Sequence, residues 1–180
     1  ADLERDPPAG LREFVPAFTT VLLVFEPDCR LQEIAPQLLQ RFKESATKPI
    51  PARKPVEIPV KYDGPDLDRV AELHSLGREQ VIALHSAPVY KVYMLGFSPG
   101  FPYLGELDQR LHTPRLSSPR PRVPRGSVAI GGAHTGIYSV ESPGGWNIIG
   151  HTSTTIFDPS RDRAEVFLLR QGDQVRFLPI

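Results

Sequence analysis

The feature that most constrains what this chain can fold into is a loss of helical periodicity near residue 88. Beyond it, short β-rich apolar runs are cut apart by glycine and proline: VYKVYML (89–95), SVAIGG (127–132), GIYSV (136–140), WNIIGHT (146–152), TTIF (154–157), EVFLL (165–169) and QVRFLP (174–179). Many short strands with turn signals between them predict a β-barrel or sandwich. Between the first two runs, residues 96–126 read as a loop without regular structure, and loops of that length inside a compact domain are usually functional.

Before residue 88 the pattern alternates. TTVLLVF (19–25) reads as a strand, and Leu31, Ile34, Leu38, Leu39 and Phe42 recur at helical spacing, with Pro36 predicting a kink or a late start. Val56, Ile58 and Val60 alternate with polar or proline positions, as in a sheet-edge strand. Asp66 is placed to cap a helix over 67–73 that Gly77 ends, and a further short helix covers 78–86. The order β-α-β-α-α predicts an α+β chain with a small α/β domain in residues 1–85 and a barrel domain in 86–180.

Composition narrows the class. The chain has 21 Lys+Arg against 21 Asp+Glu, so no global field draws it to nucleic acid or an anionic membrane. At 40% hydrophobic it is no disordered chain, and its 20 prolines must punctuate a fold. The single cysteine, Cys29, excludes an internal disulfide and any multi-cysteine metal site and suits a reducing compartment. The longest apolar run, Val21–Phe25, is far short of the roughly 20 residues that span a bilayer. The acidic opening ADLERD is unlike a signal peptide, so a cytoplasmic location is expected.

Neutrality is a sum over separated patches. From Gln109 to Val140 there are five arginines and no acid, so that segment carries +5 and the remainder −5. Prolines 119, 121 and 124 would hold Arg120 and Arg122 extended with little entropy left to lose, as an anion clamp requires. Pairing with acids elsewhere in the fold is the competing reading.

Ten of the 14 glycines fall between Gly96 and Gly150. GSVAIGG is placed to bring backbone N–H groups to a phosphate, yet it matches neither standard phosphate-loop pattern. The five histidines lack metal-ligand spacing, so no metal site is expected. Ser98, Ser127 and Ser142 sit beside glycine or proline without a nucleophile elbow, and turn chemistry explains them equally. Phe97, Phe101, Tyr103, Tyr138 and Trp146 suit a flat pocket for a planar ligand or a proline-like ring, and suit barrel core as well.

The segments GFSPGFPYLG, TPR-x-x-x-PRPRVPRGSVAIGG and GIY-x-x-ESPGGWNIIGHT, with the closing LLRQGDQVRFLPI, together resemble the allophanate hydrolase subunit 1 family. That family includes B subunits of bacterial ATP-dependent 5-oxoprolinases, the KipI inhibitor of a sporulation histidine kinase and part of the carboxyltransferase region (C and D subdomains) of urea carboxylase. The resemblance implies a small α/β domain followed by a cyclophilin-like β-barrel. It implies a cytoplasmic heteromer with a larger cyclophilin-like partner, of the oxoprolinase C-type or allophanate hydrolase subunit 2 type, together with an A-type third component. The activity implied first is ATP-dependent opening of 5-oxoproline to glutamate, with the chain inactive alone and magnesium held partly by the partner. The alternatives are a KipI-like inhibitor that docks a histidine kinase and a carboxyltransferase subdomain of a urea carboxylase or allophanate hydrolase system.

On this resemblance Arg120, Arg122, Ser127, Thr135, Tyr138 and His151 are the candidates for substrate or phosphate binding, with Phe97, Phe101, Tyr103 and Trp146 lining the pocket. This chain has His151 where the family has arginine and Ser139 where it often has proline. It starts after the strand and helix with which members usually begin, so its first domain is expected to lack them.

Overall fold

The structure, a computed structural model, describes residues 2–46, 54–162 and 165–180. The chain divides into two compact units, residues 1–52 and 53–180. The first unit holds a short helix α1 (Asp2–Arg5), an antiparallel hairpin of β1 (Leu11–Pro16) and β2 (Val21–Phe25), and α2 (Leu31–Ala46). Strand β1 has no counterpart in the sequence reading. Helix α2 runs through Pro36, which lies past the first turn, so the hydrogen bond that an N–H at this position would donate to the carbonyl of Gln32 is missing from the helix.

The second unit is an α+β barrel. Its strands are β3 (Val56–Val60), β4 (Tyr90–Leu95), β5 (Pro102–Gly105), β6 (Arg120–Val123), β7 (Ser127–Gly131), β8 (His134–Ile137), β9 (Ser142–Gly144), β10 (Asn147–His151) and β11 (Gln174–Pro179). Seven of them form one sheet in the order β10-β7-β8-β5-β4-β11-β3, and β6 and β9 form a separate ribbon. The sheet nearly closes on itself: Lys61, just past edge strand β3, exchanges backbone hydrogen bonds with His151 at the end of edge strand β10. Gly64 and Asp66 continue that seam by donating to Ile149 and Ile148. Closure of this kind removes exposed sheet edges.

Strand β3 pairs in parallel with β11, and helices α3 (Leu67–Leu73) and α4 (Arg78–Ser86) pack against β10 and β11. These three elements therefore sit within the barrel unit, and the division near residue 52 differs from the 85/86 boundary drawn from the sequence. Alternate residues on one strand feed two separate clusters. Val128, Ile130 and Ile149 point into the main core with Val70, Val81, Val92 and Phe177, while Ala129 and Ile148 belong to a second cluster with Phe101, Val123, Tyr138 and Trp146.

Several local expectations are corrected. The 96–126 stretch is not structureless: it holds β5, a 3-10 turn at Gln109–Leu111 and β6. TTIF and EVFLL form no strands; they are joined by an isolated bridge between Phe157 and Phe167, whose rings stack at 5.3 Å. Asp66 makes no side-chain cap of α3, because its carboxylate is engaged by Arg120 and by the backbone of Ile148. Gly77 opens α4 instead of ending α3, and its N–H donates to Gln80. Among the described residues no helix is long and apolar enough to cross a membrane.

Candidate functional site

The second cluster does not fill its own space. Phe101 stands edge-on to Tyr103, Tyr138 and Trp146, with ring centroids at 5.1, 5.2 and 5.4 Å. Phe97 stands edge-on to Phe101 at 5.6 Å. Together with Arg115, Leu116, Pro119 and Pro143, these rings surround a cavity of about 310 Å³. Two strand glycines make the arrangement possible. A Cβ at Gly131 on β7 would come within 2.5 Å of the Trp146 indole, and one at Gly136 on β8 within 2.9 Å of the Phe101 ring. Glycine inside a strand often marks such a close approach.

Phe97 is an outlier. It adopts φ 70°, the left-handed region that bulky side chains avoid, and its ring is 63% exposed.

The electrostatics of the cavity are simple. The Arg115 guanidinium lies 5.8 Å from the centre of the Trp146 ring, and no described carboxylate pairs with it. Burial pushes the Tyr138 hydroxyl up from its ordinary value against the opposing effect of the Trp146 backbone N–H, and burial likewise raises Tyr103. Both tyrosines are therefore neutral, and Arg115 is the one ionised side chain in the lining. Ser98 Oγ, Arg120 Nη1, Ser142 Oγ and Asn147 Oδ1 are buried with no protein partner. Each belongs to a residue adjacent in sequence to one in the cavity wall: Phe97, Pro119, Pro143 and Trp146. Buried polar atoms without partners are uncommon in a folded protein.

The structure places Phe97, Phe101, Tyr103, Tyr138 and Trp146 around this one cavity. It does not bring the other candidates there. Arg120 donates to Asp66 Oδ1 at 2.7 Å, and Asp66 Oδ2 accepts from the Ile148 N–H at 2.7 Å, so the arginine braces the β6–β9 ribbon to α3 and β10. Arg122 is exposed and donates through two nitrogens to Glu141. Ser127 is buried at the start of β7 opposite His151. His151 is exposed at the barrel seam, with Nδ1 2.7 Å from Asp63 Oδ1. The glycine-rich turns are occupied as well, since Gly126 N–H donates to Tyr138 and Gly132 N–H to Thr113.

Thr135 belongs to a different centre. Its Oγ1 lies 2.7 Å from His85 Nε2 and donates to the Ala129 carbonyl, while His85 Nδ1 lies 2.8 Å from the Tyr62 hydroxyl. Complete burial holds the His85 imidazole neutral, with its pKa down to about 3. Sequence reasoning misses this network and also Arg115. The network joins residues 50 and 23 positions apart, and Arg115 lies outside the PRPRVPRGS spacing that draws attention to its neighbours.

The family described as carboxyltransferase domain, subdomain C and D, matches residues 1–168, and the chain belongs to that family. It is 48% identical over 170 residues to the B subunit of 5-oxoprolinase from Escherichia coli O157:H7, covering 93% of this chain and 77% of that one. It is 42% identical over 195 residues to the B subunit of 5-oxoprolinase from Bacillus subtilis (strain 168), covering 100% of this chain and 80% of that protein. Among solved structures, the crystal structure of TTHA0988 in space group P212121 matches with a TM-score of 0.84 and 46% identity. That match covers 99% of this chain and 35% of the other, so this chain spans about a third of that protein's length.

Proposed function

We propose that this chain is the B-type subunit of an ATP-dependent 5-oxoprolinase, acting in the cytoplasm with a larger partner to open 5-oxoproline to glutamate. The observation that supports this most is the identity of 42% to 48%, over nearly the whole chain, with proteins named as the B subunit of 5-oxoprolinase. A lactam is a poor electrophile, and ATP supplies a phosphoryl group that turns the exocyclic carbonyl oxygen of the lactam into a leaving group. What this chain contributes is a preorganised apolar cavity that holds and orients a small ring away from water.

The described residues do not by themselves fit a magnesium triphosphate. No group of three or more His, Cys, Asp or Glu side chains gathers among them, and Arg110, Arg120 and Arg122 already hold Asp108, Asp66 and Glu141. In this reading the nucleotide and its metal belong to the assembled complex, where the partner supplies the remaining ligands.

The test is reconstitution with the partner proteins and measurement of ATP hydrolysis with and without 5-oxoproline. Stimulation by 5-oxoproline that requires every component is expected. A stable complex without stimulation, or inhibition of a histidine kinase by the chain alone, would overturn the reading.

A further inference from the structure

Resting on the 5-oxoprolinase reading, we propose that the aromatic cavity is the seat of the lactam, with its ring packed against Phe101 and Trp146 and its carboxylate bound by Arg115. Four observations converge on a small cyclic monocarboxylate.

The cavity volume of about 310 Å³ stands at the lower end of the roughly 300–1,000 Å³ typical of small-molecule sites, so the occupant is small. The walls are ring faces and edges fixed by packing onto Gly131 and Gly136, which suits a flat five-membered ring and imposes little ordering cost on binding. The lining carries one cation and no acid, which matches one negative charge and not a polyphosphate. Among the described residues Arg115 is paired with no carboxylate, unlike Arg110, Arg120 and Arg122, and its position against the Trp146 ring leaves its donors available to a bidentate oxygen pair.

The surroundings agree. Phe97, held at φ 70° with its ring mostly in solvent, contributes little burial to the fold, yet it lines this cavity. Strain of that kind persists where the surrounding structure imposes it, and it clusters at binding sites.

Trp146 is the only tryptophan in the chain, so its fluorescence reports on the cavity directly. The full chain is titrated with L-5-oxoproline, with 2-pyrrolidinone, which is the same ring without the carboxylate, and with ATP. A saturable change is expected with 5-oxoproline, with affinity at least about tenfold weaker for 2-pyrrolidinone and for Arg115→Gln, as loss of one charge-assisted pair predicts. Arg115→Lys should recover part of the loss. In the reconstituted complex Arg115→Gln should raise KM for 5-oxoproline by a similar factor and leave KM for ATP unchanged.

An equal response to 2-pyrrolidinone, saturation by ATP in the same range, or absence of any saturable change would overturn the proposal. The two readings fail separately. If the complex turns over 5-oxoproline while Arg115→Gln leaves its KM untouched, the cavity assignment falls and the 5-oxoprolinase reading stands. If the cavity binds 5-oxoproline through Arg115 but the complex shows no 5-oxoproline-dependent ATP hydrolysis, the 5-oxoprolinase reading falls and the cavity assignment stands.

Discussion

Two groups of aromatic rings lie in the same compact unit and end in opposite states. Around His85, the rings of Tyr62, Tyr90 and Phe177 approach the imidazole at centroid distances of 5.6, 5.6 and 4.7 Å. The Tyr62 and Tyr90 hydroxyls, the Thr135 hydroxyl and both ring nitrogens of His85 have partners within that group or its backbone. Around Trp146 the rings stand at similar distances, but a cavity stays open between them. The closed group completes its burial and hydrogen bonding within the chain and so contributes to stability. The open group leaves burial incomplete, and a ligand that completes it gains the free energy that the fold has left available.

The largest effect should come from the brace beside the open group. Asp66 is 4% exposed and takes both Arg120 and the Ile148 N–H, so it ties the ribbon that flanks the cavity to the barrel. Asp66→Ala leaves a half-buried guanidinium and a buried N–H without an acceptor. Breaking one partner of such a pair costs about 3–5 kcal/mol, which should appear as a large drop in the urea midpoint. The cavity should loosen with it, shifting Trp146 fluorescence in the folded baseline. A midpoint change near zero would mean that the ribbon is held by its own packing and that the brace is incidental.

The closed group should respond to substitution and to pH, and without consequence for the cavity. His85→Leu leaves the Tyr62 hydroxyl without its partner in a buried site, at a cost of roughly 1–3 kcal/mol. The pH dependence carries a definite sign. His85 has a folded pKa of about 3, below the value near 6.5 of an unfolded histidine, so the unfolded chain binds the extra proton. Its contribution is therefore fully present above about pH 6.5 and lost as pH falls toward 3, at up to about 1.4 kcal/mol per pH unit. Urea midpoints of the parent and His85→Leu chains measured from pH 7 to pH 5 should converge. A constant gap between them would show that His85 is protonated in the fold and that the closed group is not closed.

The same contrast explains how much is legible in the sequence. Strands β4, β7, β10 and β11 are legible because their apolar residues sit between clear turn signals. Strands β5 and β6 are hidden by Pro102 and Pro121, which sequence patterns demote, and which are tolerated here at the first residue of one strand and within a two-stranded ribbon. EVFLL looks like a strand by composition, but it makes only one bridge. The rings of the cavity are recognisable as a set because they share one glycine-rich window. Their choice between core and pocket is not, since it depends on how closely Trp146 and Phe101 pack onto Gly131 of β7 and Gly136 of β8, contacts that no segment of the sequence shows. The regular proline spacing favours Arg120 and Arg122, whose acidic partners lie 54 and 19 residues away and cannot be read from the segment itself.

The smallest effect on stability should come from the residue that most sharply separates the two groups. Phe97 holds a left-handed backbone that costs an ordinary side chain roughly 1–2 kcal/mol and costs glycine nothing. Phe97→Gly removes that strain. It also loses an edge contact to Phe101 worth about 0.5–1.5 kcal/mol and adds about 0.5–1 kcal/mol of chain entropy to the unfolded state. These contributions nearly cancel, so the urea midpoint should move by less than about 0.5 kcal/mol equivalent. The cavity, however, loses one of its walls, and the affinity for 5-oxoproline read by Trp146 fluorescence should fall about tenfold, as loss of one ring contact near 1.4 kcal/mol predicts. A destabilisation of about 2 kcal/mol or more with unchanged affinity, a cost on the order of a core truncation, would place Phe97 with the closed group around His85 and remove the argument that its strain serves binding.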